Sequence, residues 1–365
     1  MGNIFWITMN QKRVVVAMSG GVDSTTTAAL LKKEGWDVIG VTMQLLDYKD
    51  AEGGCCSFDH VIDARRAAAQ IGIPHYVVNF VDQFKTHVLG DYIDKYKSGK
   101  TPIPCVLCNK YVKFDLLMTK ALELGAGYLA TGHYARIVEE GGQFALKKAL
   151  DETKDQSYFL YTLTQKELSR LMFPLGSLPK EEVRDIARGL GLIPAEKPDS
   201  TGVCFVPGGD YRDYLAAQAD LVPEEGEIVD GEGRVLGKHN GVFSFTIGQR
   251  RGLGIALGKP VYVTGIEPGK NRIVVGGQDR LFGTKLVAEN ITWINNSELN
   301  DILQVNAKVR YRHRESSAEV HMSSETDATV EFREPVRAIT PGQAVVFYKN
   351  DKVLGGGWIK EVVRQ

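Results

Sequence analysis

The chain has 365 residues, room for two or three domains at roughly 150 residues each. Hydrophobic residues at 43% and charged residues at 24% sit near the globular average and exclude a disordered chain, a collagen and a bundle of membrane spans. The 44 Lys and Arg against 45 Asp and Glu leave a net charge of -1, so a nucleic-acid partner has to be held by a local basic face.

Met1 to Arg13, with Phe5, Trp6 and Ile7, is too short to span a bilayer, and no membrane partner is expected. Val14 to Met18, Val38 to Met43, His75 to Asn79 and Tyr128 to Thr131 read as strands. Helices are predicted between them over Ser24 to Glu34, Asp59 to Ile71 and Asn109 to Leu124, the last carrying Val112, Leu116, Leu117 and Ala121 at helical spacing. That alternation predicts an α/β fold with a doubly wound parallel sheet. Thr164 to Leu192 reads as a further helical stretch, with Thr164 and Glu167 as a capping box and Pro179 at a helix start, and it extends a first domain over residues 1–207. Beyond Val206 the texture changes to short alternating runs punctuated by Gly and Pro: Val261 to Ile266, Arg272 to Val275, Lys308 to Tyr311, Ala328 to Phe332 and Ala344 to Tyr348. Two smaller β-rich domains are expected there, 208–282 and 283–365, parted at Asp279 to Gly283.

The sharpest local signal is Ser19-Gly20-Gly21-Val22-Asp23-Ser24, between the first strand and the helix it opens. Two glycines let the backbone approach an anion, the serines offer hydroxyls, and a helix start presents unpaired N–H groups, so the run reads as a phosphate cradle. It lacks the Gly-x-x-x-x-Gly-Lys-Ser/Thr pattern of a kinase-type P-loop. The bland alternative is a glycine turn with an Asp or Ser cap.

Ser-Gly-Gly-x-Asp-Ser in this position resembles the pyrophosphatase-loop ATPases, which split ATP into AMP and pyrophosphate. Further runs narrow the resemblance: Thr101-Pro102-Ile103-Pro104-Cys105-Val106-Leu107-Cys108-Asn109-Lys110, Ala130-Thr131-Gly132-His133-Tyr134, Lys154-Asp155-Gln156, Asp199-Ser200-Thr201-Gly202-Val203-Cys204-Phe205, Phe245 to Gly252 and Lys308 to Arg312. Together they resemble the bacterial tRNA-specific 2-thiouridylases, over about Val14 to Trp358. The resemblance implies adenylation of O2 of the wobble uridine of tRNA followed by its replacement with sulfur. It places Ala17, Met18, Ser19, Gly20, Gly21, Val22, Asp23, Ser24, Met43 and Gly132 around ATP, with Asp23 helping to hold Mg. The same resemblance puts Ile103, Pro104, Cys105, His133, Lys154, Asp155, Gln156, Arg310, Tyr311 and Gln343 against the anticodon loop. Ile103 departs from the family, which has Asn at that place, so the polar contact that the resemblance implies near the target base does not carry over.

Five cysteines form an odd set with no signal peptide ahead of them, which points to the reducing cytosol rather than a secreted disulfide scaffold. The resemblance makes Cys108 the nucleophile and Cys204 the carrier of a persulfide loaded by a sulfur-donor or relay protein. A thiol ionises at about pH 8.5, so reactivity asks for a helix start or a nearby cation. Cys108 precedes the predicted helix, with Lys110 and Lys113 in its first turn. Cys105, Cys108 and Cys204 would also make three ligands of a 4Fe–4S cluster with one iron open, as in related cluster-dependent tRNA thiolases, and both routes stay open. A zinc site lacks a fourth ligand at an obvious spacing. Cys55 and Cys56 read as a packed or turn pair. The rival functions are another AMP-forming ligase of the same superfamily and a noncatalytic RNA-binding module.

Overall fold

A computed structural model of the protein describes residues 10–47, 58–197, 199, 202–206, 211–218, 224–295 and 302–363. Phe5 to Ile7, Cys55, Cys56, Ser200, Thr201 and the expected domain boundary at residue 207 lie outside the described residues. Two compact units form: one of Met1–Val88, Cys105–Gly209 and Asp351–Val353, the other of Leu89–Pro104, Asp210–Asn350 and Leu354–Gln365. The excursion Leu89–Pro104 joins the second unit because Thr101 N–H donates to the Pro341 carbonyl at 3.0 Å, while Gln343 Nε2 donates to the Thr101 and Pro102 carbonyls at 3.0 and 3.1 Å.

In the first unit, β1 (Asn10–Ala17) carries Val14, Val15 and Val16, all fully buried. A β-branched run hidden on both faces is the signature of a central parallel strand. It is flanked by α1 (Val22–Lys33), β2 (Asp37–Gln44), α2 (Phe58–Ile71), β3 (His75–Asn79) and β4 (Ala126–Ala130). With β5 (Ala135–Glu140) and β6 (Gln143–Lys148) as an antiparallel hairpin and β7 (Leu171–Met172) beside β4, the parallel sheet runs β3-β2-β1-β4-β7. Strand order turns back at β1 and β4, and in an open α/β sheet the ligand crevice lies outside the carboxyl ends of the strands at such a reversal.

Three expectations need correction. The Thr164 to Leu192 stretch is not continuously helical: the predicted cap at Thr164 and Glu167 starts a single turn, Gln165–Leu168, then β7 intervenes before α3 (Lys180–Gly189). Parallel pairing with β4 overrides the local helical period of that stretch. The helix expected from Asn109 begins earlier, at Pro104, and passes from a first turn, Pro104–Leu107, into a π-helical segment, Cys108–Leu116, before Leu117–Glu123. Proline favours a first helical position, which explains the earlier start.

The second unit holds a four-stranded sheet, with β8 (Glu225–Val229), β9 (Val235–Asn240), β10 (Tyr262–Glu267) and β11 (Arg272–Gly276) in the order β10-β11-β8-β9. Ile228, Val263, Ile273 and Val275 alternate inward from it onto Phe245, Ile247 and Leu253. The rest is a barrel: β12 (Phe282–Trp293), β13 (Ile302–Lys308), β14 (Ser316–Met322), β15 (Ala328–Arg337), β16 (Ala344–Lys349) and β17 (Lys352–Val363) run in the order β12-β15-β14-β13-β16-β17, and β17 pairs again with β12. Closure removes the edges that an open sheet of these strands would expose. Here the third correction falls, since the strand expected over Lys308 to Tyr311 ends at Lys308 and Arg310 and Tyr311 lie in the turn that follows.

Candidate active site

The predicted phosphate cradle follows β1 at the sheet's reversal point. Gly20 takes φ +74, and a Cβ there would lie 2.5 Å from the His60 carbonyl oxygen, so only glycine lets the loop pass under α2. Gly21 is the extended residue before α1. The Ser24 hydroxyl accepts from Ser19 N–H at 3.1 Å and donates to the Gly21 carbonyl at 3.2 Å, which fixes the curve of the loop. Gly132, just past β4, comes close on the other side: a Cβ would stand 3.0 Å from the Asp23 backbone carbon and the Ser24 nitrogen. Val22 is buried, Met18 is buried behind Ala17, and Met43 is half-buried near the end of β2.

Asp23 does not point away unpartnered. Its Oδ1 accepts from the Tyr134 hydroxyl at 2.8 Å and from Lys180 Nζ at 2.6 Å. Lys180 is 5% exposed and also reaches Asp199 Oδ1 at 2.9 Å. Asp199 gathers Arg184 at 2.8 Å and Lys154 at 2.7 Å as well. Burial works against ionisation of Asp199, but hydrogen bonds from Lys154 and Lys180 outweigh it and hold its pKa down at about 2. Lys180 and Arg184 were missed by the sequence reading. The available signal was a lysine in the first turn of α3, where the helix dipole disfavours a cation unless an anion compensates.

Five residues beyond Asp199, Cys204 sits half-buried, anchored by Phe205, which is 1% exposed and packs edge-on against Phe84 at 5.3 Å. Cys108 is buried and Cys105 exposed, and none of the three forms a disulfide. The Cys108 thiol is harder to ionise than a free one. Burial pushes its pKa up to about 12, Lys113 pulling the other way and Cys204 and Cys105 adding to the rise. The early helix start leaves Cys108 inside a helical run, away from the free N–H groups of a first turn. Iodoacetamide should therefore modify Cys108 on the order of 10³-fold more slowly than a free model thiol at pH 8, because the reactive thiolate is that much scarcer. Peptide mapping after timed alkylation measures this, and a rate like that of a model thiol would refute it.

Cys204 is close enough to Cys105 and Cys108 to oppose their ionisation. Yet among the described residues no three His, Cys, Asp or Glu side chains form a group that could hold a metal ion. Cys105 is exposed as a residue, yet burial pushes its thiol up to about 11, and the three thiols as placed do not form a 4Fe–4S site.

The segments expected at tRNA are divided between the units. In the first, His133 is buried, bonded through Nδ1 to Thr131 Oγ1 at 2.6 Å and set between Phe114 and Phe173 at 5.8 and 5.6 Å; burial, then Lys113, carries its pKa well below the usual imidazole value. Lys154 is engaged by Asp199, Asp155 accepts from Ala149 N–H at 3.0 Å and the Ser157 hydroxyl at 2.8 Å, and Gln156 Oε1 accepts from Tyr134 N–H at 3.0 Å. In the second unit, Ile103 and Pro104 are buried, which accounts for an apolar side chain where the family has Asn. Gln343 holds the Thr101–Pro102 backbone, as described above. Tyr311 is half-buried with Lys308 Nζ 5.8 Å from its ring.

Arg310 donates to the Ile247 carbonyl at 2.9 Å and to the Thr340 hydroxyl. Arg310→Ala should lower stability by about 1 to 3 kcal/mol in denaturant unfolding, since two oxygens lose a charged donor. The salt slope of tRNA binding should stay unchanged, and flattening by about one unit would instead put Arg310 on a phosphate.

Comparison with known proteins bears on all of this. The tRNA methyl transferase HUP domain family matches residues 12–208, the tRNA methyl transferase PRC-barrel domain residues 213–277 and the aminomethyltransferase beta-barrel domain residues 283–359. The chain is 48% identical over 353 residues to a tRNA-specific 2-thiouridylase of Clostridium acetobutylicum, covering 96% of this chain and 99% of that protein. It is 52% identical over 357 residues to one of Geobacter metallireducens, covering 96% and 97%. Among solved structures, the U34-tRNA thiolase NcsA of Methanococcus maripaludis with its 4Fe–4S cluster aligns at 21% identity with a TM-score of 0.36, over 58% of this chain and 67% of that one. With near-half identity along almost its whole length, the chain belongs to the tRNA-specific 2-thiouridylase family.

Proposed function

We propose that this chain replaces O2 of the wobble uridine, U34, of tRNA with sulfur at the expense of ATP. The observation that carries the reading is the Lys180 bridge, which joins Asp23 of the phosphate loop to Asp199. Cys204, the thiol that would displace the oxygen, follows Asp199 by five positions in the chain.

A uracil carbonyl oxygen leaves poorly, and adenylation repairs that. O2 attacks the α-phosphorus, the bond to pyrophosphate breaks, and O2 carries AMP. The N–H groups after Ser19 and the cation of Lys180 face the phosphate charge. Asp23 is a hard oxygen ligand suited to Mg, which offsets phosphate charge when bound. Cys204, loaded as a persulfide by a donor protein, supplies the terminal sulfur to C2 and AMP departs with the oxygen. Cys108 then attacks the Cys204 sulfur, its thiol proton passing to the departing base; the S–S bond to the base breaks, and 2-thiouridine is released with a Cys108–Cys204 disulfide left for a cytosolic dithiol to reduce.

The reading includes the anticodon loop as partner, a cytoplasmic setting and the division at 1–207, 208–282 and 283–365. Among the described residues no helix is long and apolar enough to cross a membrane. Incubating the protein with ATP, unmodified tRNA and a persulfide donor should yield AMP, pyrophosphate and 2-thiouridine in equal amounts. Release of ADP, or of pyrophosphate without tRNA, would overturn the assignment and favour another ligase; tRNA binding with no turnover would favour an RNA-binding module.

A further inference from the structure

A net charge of -1 requires a local basic face for RNA, yet two of the cations that the resemblance puts there are spent inside the protein. Lys154 goes to Asp199, and Arg310 to the Ile247 carbonyl and the Thr340 hydroxyl. Residues 233–266 carry five Lys and Arg and no Asp or Glu. Arg234 and Lys238 pair with Asp230 and Glu225 outside that run. Arg250, Arg251 and Lys259 are exposed and make no ion pair or side-chain hydrogen bond among the described residues.

These three belong to one loop of the second unit, and the ends of that loop are pinned together. Gly248 N–H donates to the Val263 carbonyl at 2.8 Å, and Val263 N–H to the Gln249 carbonyl at 2.9 Å. Between the pins, Arg250 and Lys259 with Leu253, Ile255, Leu257 and Val261 line an open cavity of about 600 Å³. Gly252, Gly254 and Gly258 leave the backbone there uncovered by side chains. From Arg250 to Lys259 no backbone N–H donates to an acceptor among the described residues. Successive unused N–H groups beside unpaired cations suit an anion. The cavity has no acidic, amide, hydroxyl or aromatic side chain in its lining, so charge and bare backbone are what it offers, and these meet phosphates better than base edges.

We propose that the loop Arg250–Lys259 is a face of the second unit that grips the sugar-phosphate backbone of tRNA, whatever the base sequence. This deepens the thiolation reading and rests on it for its partner. Phosphate oxygens take the guanidinium, ammonium and free N–H groups, and ribose carbons cover Leu257, which is 39% exposed. Pinned ends lower the ordering cost of that contact.

The test is the triple variant Arg250→Ala/Arg251→Ala/Lys259→Ala, with tRNA binding measured by filter retention across a salt series. The slope of log affinity against log salt should flatten by about two to three units, and affinity at about 0.1 M salt should fall about tenfold or more. A tRNA of unrelated sequence should lose the same factor to within about twofold, because phosphates carry no sequence. The denaturant midpoint and ATP affinity should stay at wild-type values, as expected for exposed side chains. Arg251→Gln alone should flatten the slope by about one unit, and it decides if the triple variant fails to fold.

An unchanged slope overturns the inference. So does a loss confined to one tRNA, which marks base reading, or intact tRNA affinity with slower sulfur delivery from the persulfide donor, which gives the face to an acidic protein. Wild-type protein that binds tRNA but makes no 2-thiouridine refutes the thiolation reading alone, and the salt slope still decides the loop.

Discussion

Cys204→Ser and Cys108→Ser should each lower 2-thiouridine formation by about 10³-fold or more, while tRNA-dependent release of pyrophosphate persists until adenylated tRNA accumulates. A serine hydroxyl cannot carry a persulfide and is a poor nucleophile at a disulfide, so neither change can be rescued by geometry. The two variants differ in what they leave behind. Without Cys204 no sulfur arrives and the adenylate hydrolyses or persists; without Cys108 the base stays joined to Cys204 through sulfur, and the protein–tRNA adduct survives a non-reducing gel. Cys105→Ala should keep activity within about threefold, since a thiol outside that exchange has no step to perform. Brown, iron-containing wild-type protein that loses both iron and activity on Cys105→Ala would reinstate the cluster route.

Asp23→Ala should cut pyrophosphate release by about 10² to 10³-fold, with tRNA affinity changed by less than about threefold. Asp23 links α1 to the ion cluster: Tyr134 and Lys180 both end on its Oδ1, so its loss frees a buried ammonium to swing toward Asp199. Gly20→Ala should have a comparable effect by another cause. The left-handed backbone at φ +74 resists a side chain, and the new methyl would meet the His60 carbonyl, so the loop must move and ATP binding is lost. Equilibrium ATP titration separates the two: Asp23→Ala weakens turnover more than binding, whereas Gly20→Ala removes binding. Normal pyrophosphate release by either variant would remove the loop from the adenylation site.

Which parts of this were readable beforehand depended on how local the physics was. The alternation of buried β-branched runs with helical periods disclosed β1 to β4 and their crossovers, because burial on both faces leaves a pattern in each segment by itself. β7 was invisible for the opposite reason. Two residues, Leu171 and Met172, become a strand only because β4 offers them a ladder. The early helix start at Pro104 was a boundary matter, yet it set Cys108 inside a helix and under cover, where its thiol is harder to ionise.

The sequence by itself determined the strand–glycine loop–helix unit that reads as a phosphate cradle, since glycines at Gly20 and Gly21 and a helix start are contiguous and need no partner to be recognised. It also determined the α/β and β-rich halves and which cysteines carry the family pattern. Only the tertiary structure decided that Lys180 joins Asp23 to Asp199, and that Arg310 and Gln343 serve the protein's own backbone. A salt bridge between residues 157 positions apart has no signature in either neighbourhood, because its energy comes from burial and from the second carboxylate, and both exist only once the chain has folded.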